Sequence, residues 1–270
     1  VDEIDRRGVL YPARLPTFTR IVAPDALRGL VRWFWIPEWQ LARGRTSRQE
    51  VLAFPASNLV VEPGGITLSG PTTRRTHRDL SGTGWAVGAL LRPAGVAALH
   101  GEPREIRDGE IGVDATELHH AVVTAMANPE AEARRNGAVA AYGAWLGDHV
   151  APPDADGERA NALEDLVASD RGIVRVEQLA ERLDLSMRAV QRLTRRYVGV
   201  PPLAMIRRYR LQEAAVRLRE EPDLTVAAVA ADLGYADQAH LCTDFRSVLG
   251  FTPTAYRRRT GSDTESSAPG

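Results

Sequence analysis

The 270-residue sequence contains no lysine; all 34 of its basic residues are arginine. We read this as a compositional bias and attach no function to it. There is a single cysteine, Cys242, which excludes an internal disulfide and a thiolate zinc cluster and fits a reducing compartment. Long apolar runs are missing, since charge or proline interrupts each stretch before the ~18 residues a membrane helix needs. The first residues, Val1-Asp2-Glu3-Ile4-Asp5, lack the basic-then-apolar pattern of a signal peptide, so a cytoplasmic location without membrane association is expected. Net charge is nearly absent as well, at -1. What is present is enough apolar bulk for sizeable cores, 44% hydrophobic residues beside 26% charged, which excludes a wholly disordered or collagen-like chain. At ~150 residues per domain the length predicts two domains.

With a total charge near zero, its distribution decides. The window Ser186 to Arg210 holds Arg188, Arg192, Arg195, Arg196, Arg207, Arg208 and Arg210 and no aspartate or glutamate, a local positive field suited to a polyanion. The segment Ala151-Pro152-Pro153-Asp154-Ala155-Asp156-Gly157 has little apolar bulk and reads as a linker at 151–157 between domains at 1–150 and 158–260. Residues 261–270 have nothing to bury and are expected to form a disordered tail.

The first half is predicted to be α+β, a small sheet or partial barrel with helices. Short β-like segments occur at Val31–Ile36, Glu50–Phe54, Asn58–Val61, Gly65–Leu68, Thr73–Leu80 and Trp85–Leu91, separated by Pro55, Pro63-Gly64-Gly65, Gly70-Pro71 and Ser81-Gly82. Alanine-rich runs at Glu117–Ala127 and Pro129–Val150 follow and predict helices that close the domain.

The second half is predicted to be all-α and internally repeated. Val176, Leu179, Ala180 and Leu183 stand at i, i+3, i+4 and i+7, and fifty residues later Val226, Val229, Ala230 and Leu233 repeat that spacing. Each run is followed by a capping residue, Ser186 or Asp237, and a second helix with core positions Val190, Leu193, Tyr197 and Val198, or Leu241, Phe245, Val248 and Leu249. Each copy then shows a glycine, Gly199 or Gly250, and a helix-starting proline, Pro202 or Pro253. Leu211, Ala214, Ala215 and Leu218 mark a long helix between the copies. The pattern is a double helix-turn-helix.

At ~100° per residue, Arg188, Arg192, Arg195 and Arg196 gather on one face of the first reading helix, opposite Val190, Leu193 and Tyr197. In a major groove such a face offers arginine to guanine and Gln191 to adenine, with outer arginines on phosphates. The matching helix of the second copy presents Gln238, His240 and Thr243, with Arg246 set against Asp237 and Asp244.

Residues Glu158 to Arg259 closely resemble the DNA-binding domain of AraC/XylS-type transcription regulators. The resemblance rests on Val176-Glu177-Gln178-Leu179-Ala180-Glu181-Arg182-Leu183, Arg207-Arg208-Tyr209-Arg210-Leu211-Gln212-Glu213-Ala214-Ala215, Val229-Ala230-Ala231-Asp232-Leu233-Gly234-Tyr235 and Phe245-Arg246-Ser247-Val248-Leu249-Gly250-Phe251-Thr252-Pro253. It implies two recognition helices in successive major grooves, with base contacts from Arg188, Gln191 and Arg192 and from Gln238, Ala239 and Thr243. Thr243 stands where the family commonly has arginine. Thr194 replaces a usual phenylalanine, which suggests a looser first-helix core. The strings Phe54-Pro55-Ala56-Ser57-Asn58-Leu59-Val60-Val61-Glu62, Gly70-Pro71-Thr72-Thr73 and Arg92-Pro93-Ala94-Gly95 resemble a cupin-like sensor domain of some such regulators, which implies effector sensing. The partners implied are double-stranded DNA and a small-molecule effector, with RNA polymerase contact and a homodimer left open.

Trp33 and Trp35 share a strand face, so they either line an effector pocket or fill the core. The other function class is a small-molecule-binding enzyme recruited to DNA by its C-terminal module. Against it, His77 is isolated in its segment, and His119 and His120 diverge by ~100° on a helix. Cys242 lies within the second reading helix without neighbouring cysteines, and there is no Gly-x-Ser-x-Gly setting for a serine nucleophile. No metal, cofactor or catalytic residue is expected.

Overall fold

The computed structural model describes residues 17–51, 54–73 and 76–265. The start at Val1–Asp5 and the tail residues 266–270 lie outside the described residues, as do positions 52, 53, 74 and 75 within two of the expected β segments.

The strands are β1 (Thr17–Val22), β2 (Val31–Gln40), β3 (Thr46–Val51), β4 (Asn58–Glu62), β5 (Gly65–Ser69), β6 (Thr76–Ser81), β7 (Thr83–Trp85), β8 (Val87–Leu91) and β9 (Glu110–Gly112). They form an antiparallel sheet in the order β1-β2-β8-β4-β5-β9, with β7 also on β2, and a separate β3-β6 ribbon. Pro63-Gly64 closes a two-residue hairpin between β4 and β5, where Glu62 faces Gly65. Two edge strands were not expected. In β1 the run Thr17-Phe18-Thr19-Arg20-Ile21-Val22 carries the β-branched residues that favour a strand. The three exposed residues of β9 have no local signal and owe their strand geometry to pairing with β5.

Helices α1 (Pro93–His100), α2 (Thr116–Met126) and α3 (Ala131–His149) complete this half. Tyr142 of α3 is fully buried, and its hydroxyl lies 2.8 Å from the Val87 carbonyl oxygen and 3.0 Å from that of Leu59, bridging β8 and β4. Burial pushes this phenol well above its usual range. Glu38 of β2 accepts from Arg134 Nε at 2.7 Å and Arg135 Nη2 at 2.6 Å, which anchors the start of α3. Burial alone would raise the Glu38 carboxyl, but the two guanidinium hydrogen bonds and their charge outweigh it and hold it below the usual range.

The second half consists of α4 (Ala155–Ser169), α5 (Val176–Arg182), α6 (Met187–Leu193), α7 (Pro202–Glu220), α8 (Val226–Asp232), α9 (Gln238–Leu249) and α10 (Pro253–Glu265). The repeat extends to backbone detail. Leu185 N bonds to Ala180 O at 2.9 Å in one copy, and Tyr235 N to Ala230 O at 2.9 Å in the other. The turn residues one position earlier, Asp184 (φ 51°) and Gly234 (φ 69°), are both left-handed. Aspartate tolerates this conformation at a cost, whereas glycine does not pay it. Asp184→Gly is therefore expected to stabilise the chain by ~0.5–1 kcal/mol. Gly234→Ala, whose new Cβ would lie 2.7 Å from Val174 Cγ1, is expected to destabilise it by ~1–3 kcal/mol. Urea unfolding of the two variants reads both signs.

Two expected boundaries shift. Asp154 caps α4 by accepting from Gly157 N at 2.7 Å, so the segment expected as a linker at 151–157 already contains the start of a helix. Helix α10 runs to Glu265, five residues into the expected tail. The halves are also not separate packing units. One apolar cluster joins Phe54, Ala56 and Leu90 of the first half to Leu163, Leu179, Val190, Leu193, Tyr197 and Tyr209 of the second. The second helix-turn-helix has its own cluster around Leu211, Leu218, Val229, Leu241, Phe245 and Tyr256.

Candidate nucleic-acid interface

The caps of both reading helices are the expected ones. Ser186 Oγ accepts from Ala189 N at 3.2 Å to start α6, and Asp237 Oδ1 accepts from His240 N at 2.7 Å to start α9. On α6, Val190 and Leu193 are buried while Arg188, Gln191 and Arg192 are exposed. The helix then widens into a single π turn over Thr194–Val198. Here Thr194 Oγ1 bonds to Val190 O at 3.0 Å, and Gly199 N reaches back to Thr194 O at 2.9 Å. A hydroxyl returned to the preceding turn competes with the helical ladder, and the wider register accommodates it. Thr194 is fully buried with its hydroxyl bonded. Arg195 and Arg196 on this turn are exposed, and Arg196 lies over the Tyr197 ring at 5.4 Å. On α9, Gln238, Ala239, Thr243 and Arg246 are exposed above buried Leu241, Phe245 and Leu249. Cys242 is half-buried.

The acid-free run along the sequence is not acid-free in space. Asp156 of α4 meets Arg192, its Oδ2 accepting from Nη1 at 2.7 Å. This bond, then that from Arg159, holds the Asp156 carboxyl below its usual range. Conversely, Asp244 of α9 turns away from the reading face toward Arg207 of α7, 3.7 Å away, and is only 13% exposed. Arg208, one of the seven arginines of the acid-free window, is 3% exposed. Its Nη1 donates to Thr73 O at 3.5 Å, and burial pushes its guanidinium down to about 10 against the opposing charge of Asp108. It is an interdomain residue, unavailable to DNA.

That interdomain contact is polar as well as apolar. Asn161 of α4 donates to Gly29 O at 2.8 Å and accepts from Ala94 N at 3.1 Å. Arg92 bonds Asp165, and Arg32 Nη1 lies 3.1 Å from Glu164 Oε2, whose other oxygen accepts from Tyr209 at 2.9 Å. Gly199, at φ 82°, passes so close to the first half that a Cβ would stand 2.7 Å from Arg104 N. Trp33 and Trp35 belong to this packing: Trp33 meets Phe54 edge-on at 5.1 Å, and Trp35 Nε1 donates to Asn58 Oδ1 at 2.9 Å. Of the two readings open for these positions, an effector pocket or the core, these contacts fit packing. A cavity of about 340 Å³ lies elsewhere, between Pro55, Thr72 and Thr73 of the first half, Leu203, Arg207 and Arg208 of α7, and Val248 of α9.

Among the described residues no helix is long and apolar enough to cross a membrane. Residues 179–259 match the Helix-turn-helix domain family, and residues 19–111 match a domain of unknown function, DUF6597. The chain is 34% identical over 82 residues to the HTH-type transcriptional activator RhaS of Escherichia fergusonii, covering 30% of this chain and 29% of that one. It is 36% identical over 84 residues to the RCS-specific HTH-type transcriptional activator RclR of Escherichia coli, covering 31% and 29%. A protein of Streptomyces lividans described as an AraC-like transcription regulator is 34% identical over 83 residues, covering 31% and 27%. The chain thus spans less than a third of the length of these relatives. A solved structure of ToxT from Vibrio cholerae covers 83% of this chain and 97% of its own at 11% identity and a TM-score of 0.45. The doubled unit with its left-handed turns, together with the match over 179–259, makes the C-terminal part of the chain a helix-turn-helix domain similar to that of the AraC-like regulators it matches.

Proposed function

We propose that the chain is a sequence-specific DNA-binding transcription regulator whose DNA contacts come from Arg188, Gln191, Arg192, Arg195 and Arg196 on the first unit and Gln238, Ala239, Thr243 and Arg246 on the second. The carrying observation is that two capped reading helices, joined by α7, each bury one face and expose these residues on the other. Double-stranded DNA matches that presentation, with arginine and glutamine suited to base edges and the outer arginines to phosphates. A small organic effector is the second partner. The cavity between the halves is where it acts in this reading, because one wall is Val248 of the second reading helix and another is the loop of the first domain. Its apolar walls and arginines suit a molecule with an apolar body and an anionic end.

Selection from random duplexes followed by a salt titration of the winner tests this function. A recurrent motif is expected, with log affinity falling against log salt at a slope of about -3 or steeper, because each neutralised phosphate releases counterion. A nearly flat slope, or no enrichment, overturns the reading.

A further inference from the structure

We propose that Asp156, which lies outside the helix-turn-helix units, is a positioning residue that determines specificity: from the first turn of α4 it orients the Arg192 guanidinium for reading a guanine. The inference rests on the DNA-binding function proposed above.

The carboxylate is held from two sides, Oδ2 by Arg192 Nη1 at 2.7 Å and Oδ1 by Arg159 Nη1 at 3.0 Å. Two residues earlier, Asp154 caps α4 and also accepts from the hydroxyl of Tyr197 at 3.0 Å. Tyr197 is buried in the π turn that ends the reading helix. The start of α4 is therefore pinned to the reading helix at two points. Packing sets the place of Asp156 beneath Arg192, which a pair formed only by flexible surface side chains would not achieve. Among the described residues Arg188, Arg195 and Arg196 have no such ion pair.

The chemistry favours buttressing. A guanidinium carries five N–H groups in a fixed fork, and Asp156 engages it through Nη1. Nε and Nη2 remain to meet guanine N7 and O6 side-on. The Arg192 side chain is 56% exposed and that of Asp156 27%, so the arginine is open to a ligand while its carboxylate partner is the more covered of the two. A long arginine loses rotamer freedom when it makes a bidentate contact. A fixed carboxylate takes that loss before DNA arrives, which is preorganisation. The negative charge also disfavours phosphate generally, so Asp156 widens the gap between the right sequence and all others.

The opposite role, a competitor that merely occupies Arg192, makes the opposite prediction. The full chain, Asp156→Asn, Asp156→Glu and Arg192→Ala are compared on two duplexes at one salt concentration: the duplex enriched by the wild-type chain, and a scrambled duplex of the same composition. Asp156→Asn is expected to lower the affinity ratio about tenfold, with the loss confined to one G·C pair and affinity for the scrambled duplex unchanged or raised. Asp156→Glu is expected to restore part of the ratio, and Asp156→Asn is expected to add little to Arg192→Ala, because coupled residues are not additive. Asp156→Asn raising both affinities with an unchanged ratio overturns the proposal in favour of competition. Equal loss on both duplexes overturns it in favour of a structural role. Failure of the wild-type chain to enrich any duplex overturns the DNA-binding reading itself.

Discussion

Replacing Glu164 by alanine is expected to cost about 3–5 kcal/mol and to uncouple the first domain from the first helix-turn-helix unit. Its side chain is 3% exposed and sits between two groups from different parts of the chain, Arg32 of β2 at 3.1 Å and the Tyr209 hydroxyl of α7 at 2.9 Å. Removing the carboxylate leaves the half-buried Arg32 guanidinium with a longer contact to Asp165, 3.5 Å, and takes an acceptor from the buried Tyr209 hydroxyl. A buried charge that loses its partner is costly even where the intact pair contributes little net stability. The damage falls within the cluster that contains Phe54, Leu90, Leu163 and Tyr209, so both halves should lose support. Calorimetry of the wild type is expected to show the first domain and first unit melting together. In Glu164→Ala that transition should move down or split, and residues 151–154 should become a proteolytic site. Glu164→Gln, which retains an acceptor for Tyr209, should lose less. An unchanged melting profile in the alanine variant would show that the halves do not depend on this contact.

The same contact shows where reading along the chain stops. The repeat was legible because helix periodicity, caps and helix-starting prolines are local: Ser186, Asp237, Pro202 and Pro253 all stand where spacing alone puts them. Most strands were legible because their β-rich segments lie between glycine and proline breaks. Contacts between distant segments were not. The residues 151–157 look like a linker because Pro152, Pro153, Asp154 and Asp156 are poor in apolar bulk, yet Asp154 caps a helix and holds Tyr197 while Asp156 holds Arg192. Arg208 resembles the other arginines of its window, and its burial against Thr73 depends on how the halves dock. Alternation alone leaves Trp33 and Trp35 to a pocket or a core, because their contacts with Phe54 and Asn58 come from distant segments. The π turn was partly signalled by Thr194, whose hydroxyl can bond within its own helix where a phenylalanine cannot.

Alanine at Arg192 or Arg188 is expected to reduce discrimination at one half of the preferred DNA site by about tenfold to a hundredfold, whereas alanine at Gln238 or Thr243 should change it less than about threefold. Folding alters the grounds for this expectation. Charge counting along the sequence sets Arg246 against Asp237 and Asp244, but Asp237 serves as a helix cap and Asp244 faces Arg207, so neither opposes DNA as strongly as it first suggests. On the other helix Asp156 tempers Arg192. What remains is a difference in readers: Arg188 and Arg192 with Arg195 and Arg196 beside them, against Gln238, Thr243 and one exposed arginine, Arg246. Gln238 can read an adenine and Thr243 can touch a thymine methyl, but neither matches a bidentate arginine on guanine. The units also differ in support, since the first shares its core with the N-terminal domain and the second packs in a cluster of its own. Selection from random DNA should therefore return one sharp half and one degenerate half about a helical turn away, ~34 Å along the duplex, while footprints cover both. Two equally sharp halves, or a larger loss of specificity from Gln238→Ala and Thr243→Ala than from Arg188→Ala and Arg192→Ala, would show that the second helix reads as much sequence as the first.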